Sequence, residues 1–150
     1  MKTDEFYLFV NSNDSDELFT ANTYSDFKIQ LPNQIELGIA DRDNFVWQVA
    51  LVEVSITDPP QTLPELMVIQ ADNVQNSYYK NSYRQILRVL RSDKITTASL
   101  FGPMYVNLLR ESFRTVHFKL FDQDYNPIDI KSVNTVLTLA LHFQVVEKLT

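Results

Sequence analysis

His117 and His142 are the only imidazoles in this chain, and each falls on the polar phase of an alternating apolar stretch. If the two stretches pair as strands, the rings would meet across a ladder and titrate together near neutral pH, or bind a metal with a third ligand. With no Cys and no HxH or HExxH spacing, the metal signal is weak and two surface histidines are the favoured reading. Nucleophilic catalysis would need a Ser or Thr converging with His and a carboxylate, and no Ser stands in a Gly-x-Ser-x-Gly elbow. Two acidic groups, Asp122/Asp124/Asp129 and Asp14/Asp16/Glu17, have the residue types of a carboxylate pair or a calcium loop. The first lacks the glycine and closing Glu of an EF-hand, and the second has no convergent partner in view. Both are better read as turn residues, whose side chains cap nearby backbone N–H groups. No catalytic, cofactor-binding or metal-binding residue is therefore expected.

One basic cluster stands out: Arg84, Arg88 and Arg91 with Lys80 and Lys94, flanked by Tyr78, Tyr79 and Tyr83. Aromatic rings among positive charges can stack on single-stranded bases, and they also form protein interface hot spots. The spacing 84, 88, 91 fits a helix face, while Gln85 to Leu90 fits a strand. The Asn/Ser/Tyr-rich stretch Asn73–Tyr83 reads as a recognition loop with no core residue except Val74. An ordinary solvated surface is the first reading of the basic cluster, a subunit or partner interface the second and nucleic acid the third; Tyr78, Tyr79, Tyr83, Arg84, Arg88 and Arg91 are the candidate interface.

Composition narrows the classes further. At 150 residues and 17.4 kDa the chain suits one domain spanning 1–150, long enough to hold a core without staples. The absence of Cys excludes disulfide frameworks and thiol chemistry, and two Gly rule out P-loops and GxGxxG turns. A start of Met-Lys-Thr-Asp-Glu has no signal-peptide pattern, and no apolar run is long enough for a membrane span, so cytosolic or nuclear synthesis is expected without membrane insertion. The net charge of −6 disfavours nucleic acid. It is unevenly placed: residues 1–60 hold eleven acidic and three basic side chains, and residues 61–150 hold eight and ten. Either both halves mix on one surface, or an acidic face meets a basic face of a neighbouring subunit.

Strand patterning dominates. Leu137, Leu139, Leu141, Phe143 and Val145 share one phase, as do Phe27, Ile29 and Leu31, and Val116 to Leu120 alternates likewise. Val46–Ile56 is apolar on both phases and reads as a strand between two layers, with Trp47 anchoring the core. Glu5–Val10, Leu66–Ala71 and Gln85–Leu90 bring the count to about eight or nine strands, separated by turn-rich segments at 11–22, 41–44, 58–64, 72–82 and 122–127. Pro103 reads as the opening of one short helix through Arg110, with Met104, Leu108 and Leu109 inward. The expected architecture is an all-β, two-sheet antiparallel sandwich, jelly-roll-like, with at most one short helix.

Several segments carry a family likeness: Phe6-Tyr7-Leu8-Phe9-Val10 followed by Asn11-Ser12-Asn13-Asp14-Ser15; Phe27-Lys28-Ile29-Gln30-Leu31-Pro32; Trp47 to Val54; Phe113-Arg114-Thr115-Val116; the turn Asp122 to Ile128; and Leu139-Ala140-Leu141-His142-Phe143. Together they resemble the short structural proteins of Polinton (Maverick) elements and adintovirus-like viruses. Val46 stands where that pattern commonly has an acidic residue, and Asn126 where it has glycine. The resemblance implies a non-enzymatic virion structural protein, a capsid, vertex or attachment component of a virus or virus-derived mobile element. Its expected partners are itself, as a trimer or pentamer, other virion proteins and a host receptor, and its expected location is the virion. The alternative from another class is a monomeric β-sandwich module that binds glycan or protein ligands. An enzyme is the least favoured class.

Overall fold

The computed structural model describes residues 5–37, 44–94, 102–128 and 134–147. The described residues form ten strands: β1 (Glu5–Asn11), β2 (Asp26–Glu36), β3 (Phe45–Thr57), β4 (Leu66–Ala71), β5 (Ser77–Tyr79), β6 (Ser82–Arg84), β7 (Ile86–Arg91), β8 (Val106–Asn107), β9 (Ser112–Phe121) and β10 (Val136–Glu147). They build two four-stranded antiparallel sheets, ordered β1-β10-β3-β8 and β2-β9-β4-β7, plus the hairpin β5-β6. First pairs with last throughout: β1 with β10, β2 with β9, β3 with β8, β4 with β7 and β5 with β6. The chain is thus one long hairpin, tipped by β5-β6 and rolled up so that β10 also pairs with β3, and β9 with β4. That is the winding of a jelly roll.

Each strand turns its apolar phase inward. Phe27, Met67, Ile69, Phe118, Leu137, Leu139 and Phe143 lie in one core between the sheets, and all are essentially inaccessible. Trp47, Leu51 and Leu141 join them as expected. Phe143 stacks on Phe6 at 4.7 Å and on Phe113 at 5.8 Å, so a single ring ties β1 and β10 to β9 of the other sheet. Burying a ring of this size contributes about 1.5–3 kcal/mol from area alone.

Irregularities explain where simple alternation breaks. In β3 the register shifts beside Leu51, leaving Val52 as an extra residue, so Leu51 and Val54 both face the core although they are three apart. The long apolar run that reads as a strand between layers is an interior strand of one sheet with a bulge in it. In β2 the register shifts between Gln30 and Ile35, where Pro32 sits on an edge strand that can spare its N–H. Arg114 clamps that shift, donating to the Leu31 and Pro32 carbonyl oxygens at 3.0 and 3.2 Å.

Two expectations are corrected. Pro103–Arg110 is not a helix: Val106–Asn107 pairs with β3, Leu108 is buried, and Met104 and Leu109 are exposed. One inward apolar residue out of three gives a helix no face to bury, whereas the open edge of β3 satisfies the backbone directly. The stretch Asn73–Tyr83 is not a loop but contains the β5-β6 hairpin, turned by Lys80 and Asn81 at φ 50° and 61°. Positive φ at both central residues matches the right-handed twist of the strands, and Asn tolerates it well.

Candidate interaction surfaces

The hairpin sorts the three tyrosines by phase. Tyr78 and Tyr83 are directly opposed and meet edge-to-face at 5.8 Å on the outer side, 65% and 73% exposed. Tyr79 faces the other way, donates its hydroxyl to the Gln123 carbonyl at 2.7 Å and tilts against Tyr125. Arg84 braces the base of the hairpin: its guanidinium lies 3.5 Å from the Tyr125 ring centroid, and Nε donates to the Tyr79 carbonyl. Tyr125 in turn stacks on Phe121 at 4.0 Å. This stack holds Tyr125 at φ 62°, so the left-handed residue of the late turn is Tyr125 rather than Asn126. Burial pushes the Tyr125 phenol up from its ordinary value, with Arg84 acting against it. The outer rings thus stand on a braced protrusion.

The arginines do not form one free basic face. Arg88 lies opposite Ile69 on the inward phase of β7 and donates to the Gly102 carbonyl at 3.1 Å. Its Nε is buried without a partner among the described residues. Arg91 is exposed and only loosely paired, at 3.9 Å from Glu65 and 3.7 Å from Asp93. Lys80 lies 3.4 Å from Asp124, and the Lys94 side chain lies outside the described residues. The cluster divides into a hairpin brace, a staple from β7 to the segment before β8, and exposed edge charges.

The two histidines do not meet, because β9 and β10 belong to different sheets. His117 pairs through Nε2 with Asp26 at 2.5 Å. His142 is no surface residue: it is 7% exposed, with Nε2 2.9 Å from Glu5 and Nδ1 2.7 Å from the Tyr105 hydroxyl. The register explains its cover. Tyr7, His142 and Ala50 are aligned across β1, β10 and β3, and Tyr105 stands one residue before the Val106–Val49 pair, so its ring reaches over the small Ala50. Tyr7 stacks on the imidazole at 4.6 Å and Tyr105 meets it edge-on. Burial first, then Tyr7 and Glu5, raise the Tyr105 phenol above its ordinary value, keeping it a neutral donor. Tyr105→Phe should cost about 1–2 kcal/mol by leaving a buried ring nitrogen unsatisfied; a lowered urea midpoint at unchanged slope is the expected readout. No local signal in the sequence marks Tyr105, which acts through register across four strands.

Both acidic groups sit in turns. Asp122 accepts from the N–H groups of Asp124 and Asn126 at 2.9 Å each, and Asp14 caps Asn11 at 2.9 Å. Asp129 lies outside the described residues. Among the described residues no three His, Asp or Glu side chains are placed to hold a metal.

With the winding and the surfaces in view, the comparisons with known proteins concern the fold. No family model matches the chain, and no curated protein matches it. Among solved structures it is similar to the crystal structure of the selenomethionine-labelled mavirus penton protein, with a TM-score of 0.55 at 9% identity, covering 95% of this chain and 100% of that one. The shared feature is the jelly-roll fold, matched along the whole penton chain. The hairpin and the edge charges of this chain are described by its own residues.

Proposed function

We propose that this protein is a non-enzymatic structural subunit of a virus particle or a virus-derived mobile element, a capsid, vertex or attachment component acting through contacts with itself and other virion proteins. One observation carries the reading: the ten strands among the described residues pair first with last in a jelly-roll winding that is similar, over 95% of this chain, to a penton protein. The likeness of the sequence segments to Polinton and adintovirus structural proteins agrees with it. Those segments are neighbours in space, since Phe27–Gln30 pairs along Thr115–Phe118, and Leu139–Phe143 lies between Phe6–Val10 and Val49–Val54.

The braced hairpin is the proposed contact with another virion protein or a receptor. Tyrosine offers apolar area and a hydroxyl at little entropic cost when fixed, and an exposed pair held at a rigid tip gains nothing from solvent. Tyr78→Ser with Tyr83→Ser should leave the melting temperature within about 2 °C while lowering particle incorporation or attachment. Tyr79→Ser should instead lower the melting temperature, because that ring belongs to the brace. Co-expression with the other virion proteins and measurement of particle incorporation tests the reading; normal incorporation of the Tyr78/Tyr83 double variant would overturn the hairpin's role.

A further inference from the structure

Asp26 and Lys119 are register partners across β2 and β9, yet they form no ion pair. Asp26 spends its Oδ1 on His117 Nε2 at 2.5 Å, and Lys119 has no ion-pair or hydrogen-bond partner among the described residues. Both line a cavity of about 470 Å³ at the corner where the segment entering β2, the end of β9 and the residues after the late turn meet. That volume lies in the ordinary range of small-ligand clefts, about 300–1,000 Å³.

The corner is tied together before any ligand arrives. Ser25 Oγ donates to the Ile128 carbonyl at 2.8 Å, the Ile128 N–H to the Leu120 carbonyl at 3.1 Å, and the Leu120 N–H to the Ser25 carbonyl at 2.8 Å. This closed ring of bonds fixes the three segments to one another. Thr23 is held likewise, its N–H donating to the Asp26 carbonyl at 2.9 Å and its Oγ1 accepting from the Asp26 N–H at 3.2 Å. Binding in such a site needs little rearrangement.

The groups that line the cavity select the chemistry of an occupant. Thr23, Ser25 and Asp26 set side-chain oxygens along one segment, Lys119 brings an ammonium with all three N–H groups unspent, and Phe121, Pro127 and Ile128 supply apolar surface. A bare anion is repelled by Asp26 and a bare cation by Lys119. Both are satisfied by a ligand that turns a carboxylate to the ammonium, hydroxyl groups to the oxygens and C–H surface to the apolar residues. We propose that this cavity binds a sugar acid, with Lys119 taking the carboxylate and Thr23, Ser25 and Asp26 the hydroxyls. The site is separate from the hairpin contact and does not depend on self-assembly.

Titration of the wild-type chain with glucuronate, followed by amide NMR shifts, should move Thr23, Asp26 and Lys119 at millimolar concentrations. Glucose, which carries a hydroxymethyl group in place of the carboxylate, should bind at least about tenfold more weakly, in keeping with the loss of a hydrogen bond between charged groups. Lys119→Gln should weaken glucuronate binding to the same extent. Lys28→Gln removes an equal charge from the same face of the sheet, outside the cavity, and should leave binding unchanged. Cyclohexanecarboxylate, which has no hydroxyls, and leucine, which has an ammonium instead, should both bind more weakly than glucuronate. Melting temperatures near wild type confirm that the variants are folded. No shift at the cavity residues with glucuronate, or equal losses in Lys28→Gln and Lys119→Gln, overturns the site. Glucose, cyclohexanecarboxylate or leucine binding as well as glucuronate overturns the assignment to a sugar acid.

Discussion

Trp47→Ala should remove about 3–5 kcal/mol of stability, the range for emptying a large aromatic site, out of a total of roughly 5–15 kcal/mol. Trp47 is 5% exposed on the inward phase of β3, opposite Val145 on β10, with Phe6 of β1 at 6.0 Å. Its removal opens a cavity at the junction of three strands, and rigid neighbours on two sides cannot collapse into it. A phenylalanine would keep an aromatic ring against Phe6 at this junction. Trp47→Phe should therefore cost under about 1.5 kcal/mol. Denaturant unfolding followed by circular dichroism checks both, and an alanine variant as stable as the parent would refute this account of the core.

The second large effect belongs to Arg88. Reversal to Glu should destabilise by about 1.5–3 kcal/mol, the range for a hydrogen bond to a charged group, and add repulsion between a carboxylate and the Gly102 carbonyl. The residue sits on the inward phase of an edge strand, so the new charge would face Ile69 and the mouth of the core. Arg88→Gln, which keeps a donor, should recover part of the loss, and Arg91→Glu, fully on the surface, should cost little. A melting temperature for Arg88→Glu equal to that of Arg91→Glu would show that the staple contributes nothing. Arg88 is thus tied into the fold by its contact with Gly102, where residue type alone grouped it with Arg84 and Arg91 as candidate interface.

Much of this fold is legible in the sequence because inward residues of a sandwich alternate. Strands β1, β2, β4, β9 and β10 stand where period-2 patterning puts them, and Trp47, Leu51, Phe118, Leu139, Leu141 and Phe143 meet in one core. The misses share a cause: they depend on what lies across a ladder rather than along a strand. Val52 hides a bulge that only the β10 register reveals. His142 reads as exposed on its own strand, and is covered by a tyrosine thirty-seven residues away. Val106–Asn107 is too short to carry a pattern and is made a strand by the free edge beside it. For the candidate interface, residue types point to the stretch 73–84, but phase within an unrecognised hairpin separates Tyr78 and Tyr83 from Tyr79. Lys80-Asn81 is the available signal, a left-handed turn between Tyr78-Tyr79 and Ser82-Tyr83.

The rolled hairpin also dictates the order in which the molecule can come into being. Glu5 faces Gln144, and β10 fills the gap between β1 and β3, so one sheet stays open until the last strand has left the ribosome. The β4-β7 pair and the hairpin between them are local and can form early, whereas closure must overcome the entropy of joining distant segments and is slow for that reason. During that interval the aromatic strand Glu5–Asn11 has neither its partner nor its cover, and unpaired apolar edges of nascent chains are where aggregation begins. Nascent copies produced close together would be exposed to one another at their stickiest, which makes the rate of synthesis, as much as final stability, a determinant of how much folded protein a cell yields.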